Sequence, residues 1–384
     1  MLKIMFTISD YGINGVSRVV NSLMNNFSKE KYEILLLSEK IDKYYYPIDE
    51  NIKIINLNVI SVQGYFNKVR NIVRMLANIR KNIIIEKPDI VLSSGDTNNC
   101  YVLLATLFCR RVKIIIAEHN ELFFDLSIKH NFLNVKDRIA FIIYQFLIFF
   151  LYRRANHIIA ASQHLADLIN KVYFINRAKI KVINNPVDIT KITKTFHEKV
   201  EDFQFESGIH YIGVISRLAS PQKKIDHLIK SMSILKNKLN VRLVIIGDGP
   251  DMEDLVGLAK KLDLTDIIYF LGYKLNPYKY LKNIDVFVLP TDFEGFPLIL
   301  VETMACRVPV VVSNIDVLKE IIDNGVNGFL VDTKNSIALS ECIYNLIADK
   351  ELKNRIVNQA CERVKSLDLR NALKKYENVI GEIN

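Results

Sequence analysis

Tryptophan is absent from the 384 residues, and proline (9), glycine (14) and cysteine (5) are sparse. The cysteines, Cys100, Cys109, Cys306, Cys342 and Cys361, are odd in number, scattered, and form no C-x-x-C pair. Neither a disulfide framework nor a zinc site is suggested. The most lipid-like stretch, Ile139 to Tyr152, is apolar over only about 14 residues, short of the ~20 that cross a bilayer, and reads as a buried helix. Met1 to Asp10 lacks the n-region, h-region and cleavage site of a signal peptide, which sets the expectation of a cytoplasmic protein. Two nucleotide-binding signatures are missing as well. The turn from Asp10 to Arg18 spaces Gly12 and Gly15 wrongly for G-x-G-x-x-G, and Gly247-Asp248-Gly249-Pro250 breaks the same pattern, so dinucleotide binding is disfavoured. No Walker A loop occurs.

What the chain does contain is apolar sequence enough for two cores: half of the residues are hydrophobic and 24% are charged. Disorder of the whole chain is excluded, and ~100–200 residues per domain favours two domains. The net charge of +9 is unevenly placed, with 28 basic and 17 acidic residues up to position 200 and 23 and 25 beyond it. A basic first half suits an anionic partner such as nucleic acid, anionic lipid or a phosphorylated substrate. With no aromatic-stacking signature or RNA-binding module, nucleic acid is not the expected one.

Short β-rich runs alternate with helical patterns throughout. They fall at 2–9, 32–38, 89–94, 112–118 and 157–162, and again at 210–216, 241–247, 267–272, 286–291 and 308–313. Strands alternating with helices imply parallel βαβ units, so the chain reads as α/β with two Rossmann-like domains. The boundaries are 1–188, a polar linker at 189–208, a second domain at 209–365, and a C-terminal helix at 366–384 able to pack back on the first domain.

Ligands of such sheets bind beyond the carboxyl ends of the strands. After the run at 210–216 comes Ser216-Arg217-Leu218-Ala-Ser-Pro-Gln-Lys223-Lys224, whose Arg217 and Lys223 could clamp a diphosphate; a solvated basic loop is the plainer alternative. After 286–291 comes Thr291-Asp-Phe-Glu294-Gly295-Phe296-Pro297-Leu298. Here Glu294 can meet sugar hydroxyls, and the amides of Phe296, Leu298 and Ile299 open a helix that can receive phosphate. Glu302, farther along that helix, can reach a ribose diol. Either glutamate alone could be an ordinary helix charge; the E-x7-E frame around Gly-Phe-Pro makes the pair distinctive.

These segments, in order, resemble the retaining glycosyltransferases of family 4, which have the two-domain GT-B fold. NGVSRVV at 14–20 is similar to the family's G-G-x-x-R-V loop, IAEHN at 116–120 to the strand end bearing a sugar-site histidine, and IIAASQHLADL at 158–168 to its I-x-x-S turn. VINNPVD at 182–188, SRLASPQKKID at 216–226, IIGDGP at 245–250, FLG at 270–272 and EGFPLILVE at 294–302 complete the set. The resemblance implies two Rossmann-like sheets facing across a cleft, an acceptor-binding first domain and a nucleotide-sugar-binding second one. It implies that Arg217 and Lys223 hold the donor diphosphate, that Glu294 meets the donor sugar near the developing positive charge, and that Glu302 binds ribose. Gly15 would let a loop approach the diphosphate, His119 would lie beside the sugar, and Gly295, Phe296, Leu298 and Ile299 would line the nucleotide-sugar site. No metal and no cofactor are implied, and no D-x-D motif occurs. Departures stand at Asn14, Lys224, Arg307 and Asp316-Val317, where glycine is common; at Asn14 a left-handed φ, which asparagine tolerates, would preserve the turn.

The implied activity is retaining transfer of a hexose or N-acetylhexosamine, from a UDP-linked donor first and GDP-mannose second, to a lipid-linked or saccharide acceptor. The setting is a capsule, O-antigen, lipopolysaccharide or exopolysaccharide. A sugar-nucleotide epimerase or a phosphorylase on a similar fold is the rival enzyme class. The helical pattern Tyr65–Asn82 is basic and amphipathic, with Lys68, Arg70, Arg74, Arg80 and Lys81 among Phe66, Val69, Ile72, Val73, Leu76 and Ile79. It sets the expectation of peripheral contact with an anionic inner membrane, against the simpler reading of a solvated crossover helix.

Overall fold

The computed structural model describes residues 1–41, 46–59, 65–109, 111–120, 135–220 and 222–383, with the backbone alone at 65–68 and 135–141. Pro221, Phe66 and Lys68, singled out by pattern, therefore fall outside the described side chains. The chain divides into two compact units, Met1–Pro186 with Leu369–Asn384, and Val187–Asp368.

The first unit is built on seven parallel strands, β1 (Leu2–Tyr11), β2 (Tyr32–Ile41), β3 (Lys53–Asn56), β4 (Ile90–Ser94), β5 (Lys113–Glu118), β6 (His157–Ala160) and β7 (Ile180–Val182), in the order β3-β2-β1-β4-β5-β6-β7. The order reverses between β1 and β4, which makes that the topological switch point. Because both faces are covered, the central strands are continuous apolar runs rather than alternating ones. One face, including Met5, Val91, Ile114, Ile116 and Ile158, packs against the helices Tyr65–Glu86, Asp96–Ala105, Val135–Leu151 and Gln163–Tyr173. The helix Gly15–Asn26 contacts the last helix, Leu369–Gly381. Ion pairs of Lys181 with Glu382 (2.6 Å) and Lys31 with Glu377 (3.8 Å) tie that last helix to the same unit.

The second unit repeats the plan with six parallel strands: β8 (His210–Ile215), β9 (Val241–Ile246), β10 (Ile268–Gly272), β11 (Val286–Leu289), β12 (Val310–Ser313) and β13 (Phe329–Val331). Their order, β10-β9-β8-β11-β12-β13, is the Rossmann order, with its switch point between β8 and β11. Within 189–208, read from sequence as a connector, Ile189–Phe196 forms a helix, and the Asp188 side chain caps it by accepting from the Lys191 amide at 2.9 Å.

Two expectations change. Asn14 does not adopt a left-handed φ: it is extended (φ −151°), and its side chain accepts from the Ser17 amide at 2.8 Å, so the residue works as a helix N-cap. The apolar stretch Ile139–Tyr152 is not a wholly buried helix. Four helices share one sheet face and only one stripe of each can reach it. Ile148 and Leu151 are inside, whereas Ile142, Ile143, Phe146, Leu147 and Phe150 are exposed.

Candidate active site

The second unit gathers most of the residues singled out by sequence at its switch point. Arg217 and Lys223 lie in the turn after β8, and Glu294 lies in the turn after the neighbouring β11. The two turns are stitched together. The Lys224 amide donates to Pro290 O (2.7 Å), the Asp292 amide to Gln222 O (2.9 Å), and Gln222 Nε2 to Phe293 O (3.0 Å), while Lys223 and Thr291 form a β-bridge. That stitching brings Lys223 Nζ into an ion pair with Glu294 Oε1. The lysine side chain is 14% exposed and the glutamate 9% exposed. Each charge therefore depends on the other for much of its solvation. Arg217 is exposed in the same turn.

The two glycines of Gly247-Asp-Gly249 have a packing role. A Cβ on Gly247 would stand 1.8 Å from Ser216 O, and one on Gly249 would stand 2.2 Å from Leu218 O. The Leu218 amide donates to Asp248 O at 3.0 Å, and the Asp251 amide to Leu218 O at 3.1 Å. The glycine turn is thus the backbone clamp that sets the position of Arg217.

Pro297 precedes the helix Leu298–Ala305, whose opening amides belong to Leu298 and Ile299. Gly295 and Phe296 are buried beside Glu294, and Glu302 sits within that helix at 1% exposure. The unit therefore brings together Arg217, Lys223, Glu294, Gly295, Phe296, Leu298, Ile299 and Glu302.

Gly15 and His119 belong to the first unit. Gly15 is exposed at the start of the helix after β1, and the turn before it is held by Ser17, whose hydroxyl donates to Asp10 O (3.0 Å) and accepts from the Gly12 amide (3.1 Å). His119 immediately follows β5. Its Nδ1 lies 2.7 Å from Asn185 Oδ1, an acceptor only, so the ring carries its proton on Nδ1. Nε2 is buried with no hydrogen-bond partner among the described residues. Burial drives the His119 pKa down to about 4, against the opposing hydrogen bond to Asn185. The ring is neutral at pH 7, with an acceptor lone pair on Nε2.

Sequence reasoning missed the support for this histidine. Asn185 lies inside the quoted VINNPVD motif without an assigned role. Glu118, fully buried, accepts from the Tyr152 hydroxyl and from Asn99 Nδ2 (2.6 Å). Burial, and then the nearby Asp96 charge, push its carboxyl up to about 8, so it is protonated at neutral pH. The only available signal was an acidic residue at the end of an otherwise apolar strand.

Two Rossmann sheets, with cations and carboxylates converging at the switch point of the second, define a glycosyltransferase of GT-B fold. Residues 13–191 match the family described as Glycosyltransferase Family 4, and residues 197–363 match Glycosyl transferases group 1. The chain belongs to the family 4 glycosyltransferases. It is 26% identical over 97% of its length, and 99% of the relative's, to an N-acetylgalactosamine-N,N'-diacetylbacillosaminyl-diphospho-undecaprenol 4-alpha-N-acetylgalactosaminyltransferase of Campylobacter jejuni. It is 24% identical to the O-antigen biosynthesis glycosyltransferase WclY of Escherichia coli, over 89% of this chain and 88% of that one. The fold is also that of Anabaena HepE, solved with UDP and glucose, at a TM-score of 0.77, 18% identity and full coverage of both chains.

Proposed function

We propose that the chain is a retaining, metal-independent glycosyltransferase that moves an N-acetylhexosamine or hexose from a UDP-linked donor to a lipid-linked saccharide acceptor in the synthesis of a bacterial surface glycan. The observation that carries this reading is the Lys223–Glu294 pair at the second switch point, beside an exposed Arg217. A diphosphate placed there draws Lys223 and Arg217 onto its oxygens, with Arg217 offering a planar fork of donors. The exchange leaves Glu294 to accept from donor-sugar hydroxyls and to face the developing oxocarbenium charge. Glu302 takes the ribose diol. The amides of Leu298 and Ile299, with the Gly295-Phe296 turn, receive the phosphate side, and Gly15 leaves the N-terminal turn of the first unit a side-chain-free edge.

The anomeric carbon–oxygen bond to the diphosphate breaks on the face where the acceptor oxygen bonds. The acceptor proton passes to the departing phosphate oxygen, and the products are an α-glycoside and UDP. The two cations neutralise the leaving group, the work a divalent metal would otherwise do. His119, neutral and bearing a lone pair on Nε2, accepts from a sugar hydroxyl. A UDP donor and a polyprenyl-diphosphate acceptor are supported by what HepE was solved with and by the acceptor in the Campylobacter relative's name.

The test is donor turnover with UDP-N-acetylhexosamines, UDP-hexoses and GDP-mannose, with and without a polyprenyl-diphosphate disaccharide, in excess EDTA, with the product anomer assigned by NMR. Release of UDP only with acceptor present, an α-linked product and full activity in EDTA are the expected results. A β-product or dependence on added metal overturns the mechanism. Conversion of donor without acceptor identifies an epimerase instead.

A further inference from the structure

The stretch from Arg217 to Lys224 carries both cations of the candidate site and is held from two sides. Towards β11, Gln222, Lys223 and Lys224 bond to the turn that bears Glu294. Towards β9, Leu218 donates to Asp248 O at 3.0 Å and accepts from the Asp251 amide at 3.1 Å. One further bond among the described residues reaches across on that side: the amide of exposed Ser220 donates to Asp251 Oδ2. Ser220 stands midway in sequence between Arg217 and Lys223. A carboxylate accepting from a backbone amide makes a charge-assisted bond, roughly twice as strong as a neutral one.

The position of Asp251 makes this bond unusual. It immediately precedes the helix Met252–Lys261, where an aspartate ordinarily accepts from the amides of its own helix, yet its side chain makes no such bond. Its backbone, at φ −91° and ψ 5°, lies outside the extended region that turns a capping side chain onto its helix. Glu253 and Asp254 supply negative charge to the first turn instead. The carboxylate serves the neighbouring turn, not the helix it opens.

We propose that Asp251 is a positioning residue for the diphosphate clamp: by anchoring Ser220 to the turn after β9, it fixes the backbone from which Arg217 and Lys223 project. It acts through that stretch and not on the substrate. A loosened stretch has to be ordered each time a diphosphate arrives, and apparent affinity falls in proportion to the fraction of molecules already competent. The inference rests on the proposed donor site for its purpose, while the anchoring itself is read by hydrogen exchange without any ligand.

The test compares full-length Asp251→Ala, which loses the acceptor, with Asp251→Asn, which keeps a carbonyl oxygen in its place. Because Asp251 makes no cap for its own helix, Asp251→Ala should barely move the melting temperature. Amide exchange in peptides spanning 216–224 should quicken roughly tenfold in Asp251→Ala and stay at the wild-type rate in Asp251→Asn. Affinity for UDP, measured by calorimetry, should fall roughly tenfold in Asp251→Ala, as for a stretch that is competent about a tenth of the time. The kcat/KM for a UDP-sugar should fall by the same factor or more, and Asp251→Asn should lie within roughly threefold of the wild type on both measures. In a Lys223→Ala background, adding Asp251→Ala should cost roughly threefold or less, since the two residues act through one clamp. A lowered melting temperature with UDP affinity and kcat/KM intact makes Asp251 a structural residue and overturns the proposal. So does an Asp251→Asn variant as impaired as Asp251→Ala, since the charge and not the bond to Ser220 is then what counts. Faster exchange in Asp251→Ala, with no binding of UDP by the wild type, strikes the donor-site reading and leaves the anchor standing.

Discussion

The carboxyl ends of the two sheets treat charge in opposite ways. At β5 of the first unit, burial keeps Glu118 protonated and His119 deprotonated, so two titratable neighbours are both neutral at pH 7. At β8 and β11 of the second unit, Lys223 and Glu294 meet as an ion pair. The units also differ in composition, with 28 basic and 17 acidic residues in the first and 23 and 25 in the second. Neutral, desolvated groups discriminate hydroxyl patterns by hydrogen-bond geometry, whereas a separable ion pair can exchange its partner for a diphosphate. Net charge over a unit thus says little about the charge state of its strand ends.

The comparison breaks most visibly at Lys223. Lys223→Ala is expected to lower kcat by roughly 10²–10³-fold, the usual cost of one transition-state donor, and to leave Glu294 buried without its cation. Steady-state turnover and a urea melt on the same sample separate the two effects, and Lys223→Ala with Glu294→Ala together should recover stability but not rate.

At Glu118 the sign is reversed, since removing the ionisable group should help. Between pH ~4.5 and about 8 the folded chain holds a proton that the unfolded chain has released. Stability is therefore lost as pH rises through that window, by about 3 kcal/mol at pH 7. Glu118→Gln mimics the neutral acid and should abolish that loss, so its stability advantage over the wild type grows from pH 5 to pH 8. An advantage that stays flat over this range in denaturant melts would show that Glu118 is ionised in the fold.

For His119 the direction is the opposite. Its pKa is depressed by burial to about 4, so its contribution is present above pH ~6.5 and is lost as pH falls toward 4. Asn185→Asp places an anion beside Nδ1–H and should raise the ring's pKa, as read from the imidazole proton shifts by NMR, while Asn185→Ala should cost ~1–3 kcal/mol.

The smallest effect is expected at Arg307. It adopts φ +61° just beyond the helix Leu298–Ala305, where its guanidinium reaches Asn358 Oδ1 at 2.8 Å. Arg307→Gly relieves about 1 kcal/mol of left-handed strain and loses that exposed bond, so its melting temperature should move little, and upward if at all.

Pattern reading found the central strands because they are continuous apolar runs. It missed β3, β7 and β13, edge strands of three or four residues that are only half-buried and whose pairing is a tertiary matter. Arg217, Lys223, Glu294 and Glu302 were legible because each sits at a fixed offset from a strand end. The contacts that hold them were not. Gln222 with Phe293 and His119 with Asn185 join residues 71 and 66 positions apart, beyond the reach of any local period. The outward face of Val135–Leu151 was misread for a related reason, since hydrophobicity reports that a helix avoids water but not how much of it the sheet has room to cover. Arg307 shows the converse case: the position where the family resemblance leads one to expect glycine is a left-handed one, and the arginine there is held by a side-chain bond to Asn358.

The final helix, Leu369–Gly381, belongs to the unit that begins at Met1, so the order of synthesis differs from the order of completion. Roughly 180 residues emerge between Pro186 and Leu369, which takes on the order of 10–40 s at ~5–20 residues per second. During that interval the first unit lacks the element carrying Tyr376, Val379 and Ile380, all buried once it docks. The contiguous second unit can close before the first is whole. A nascent chain is therefore most exposed to proteases and to misassembly at its oldest segment, and a premature stop near the 3′ end of the message would injure the unit encoded at the 5′ end.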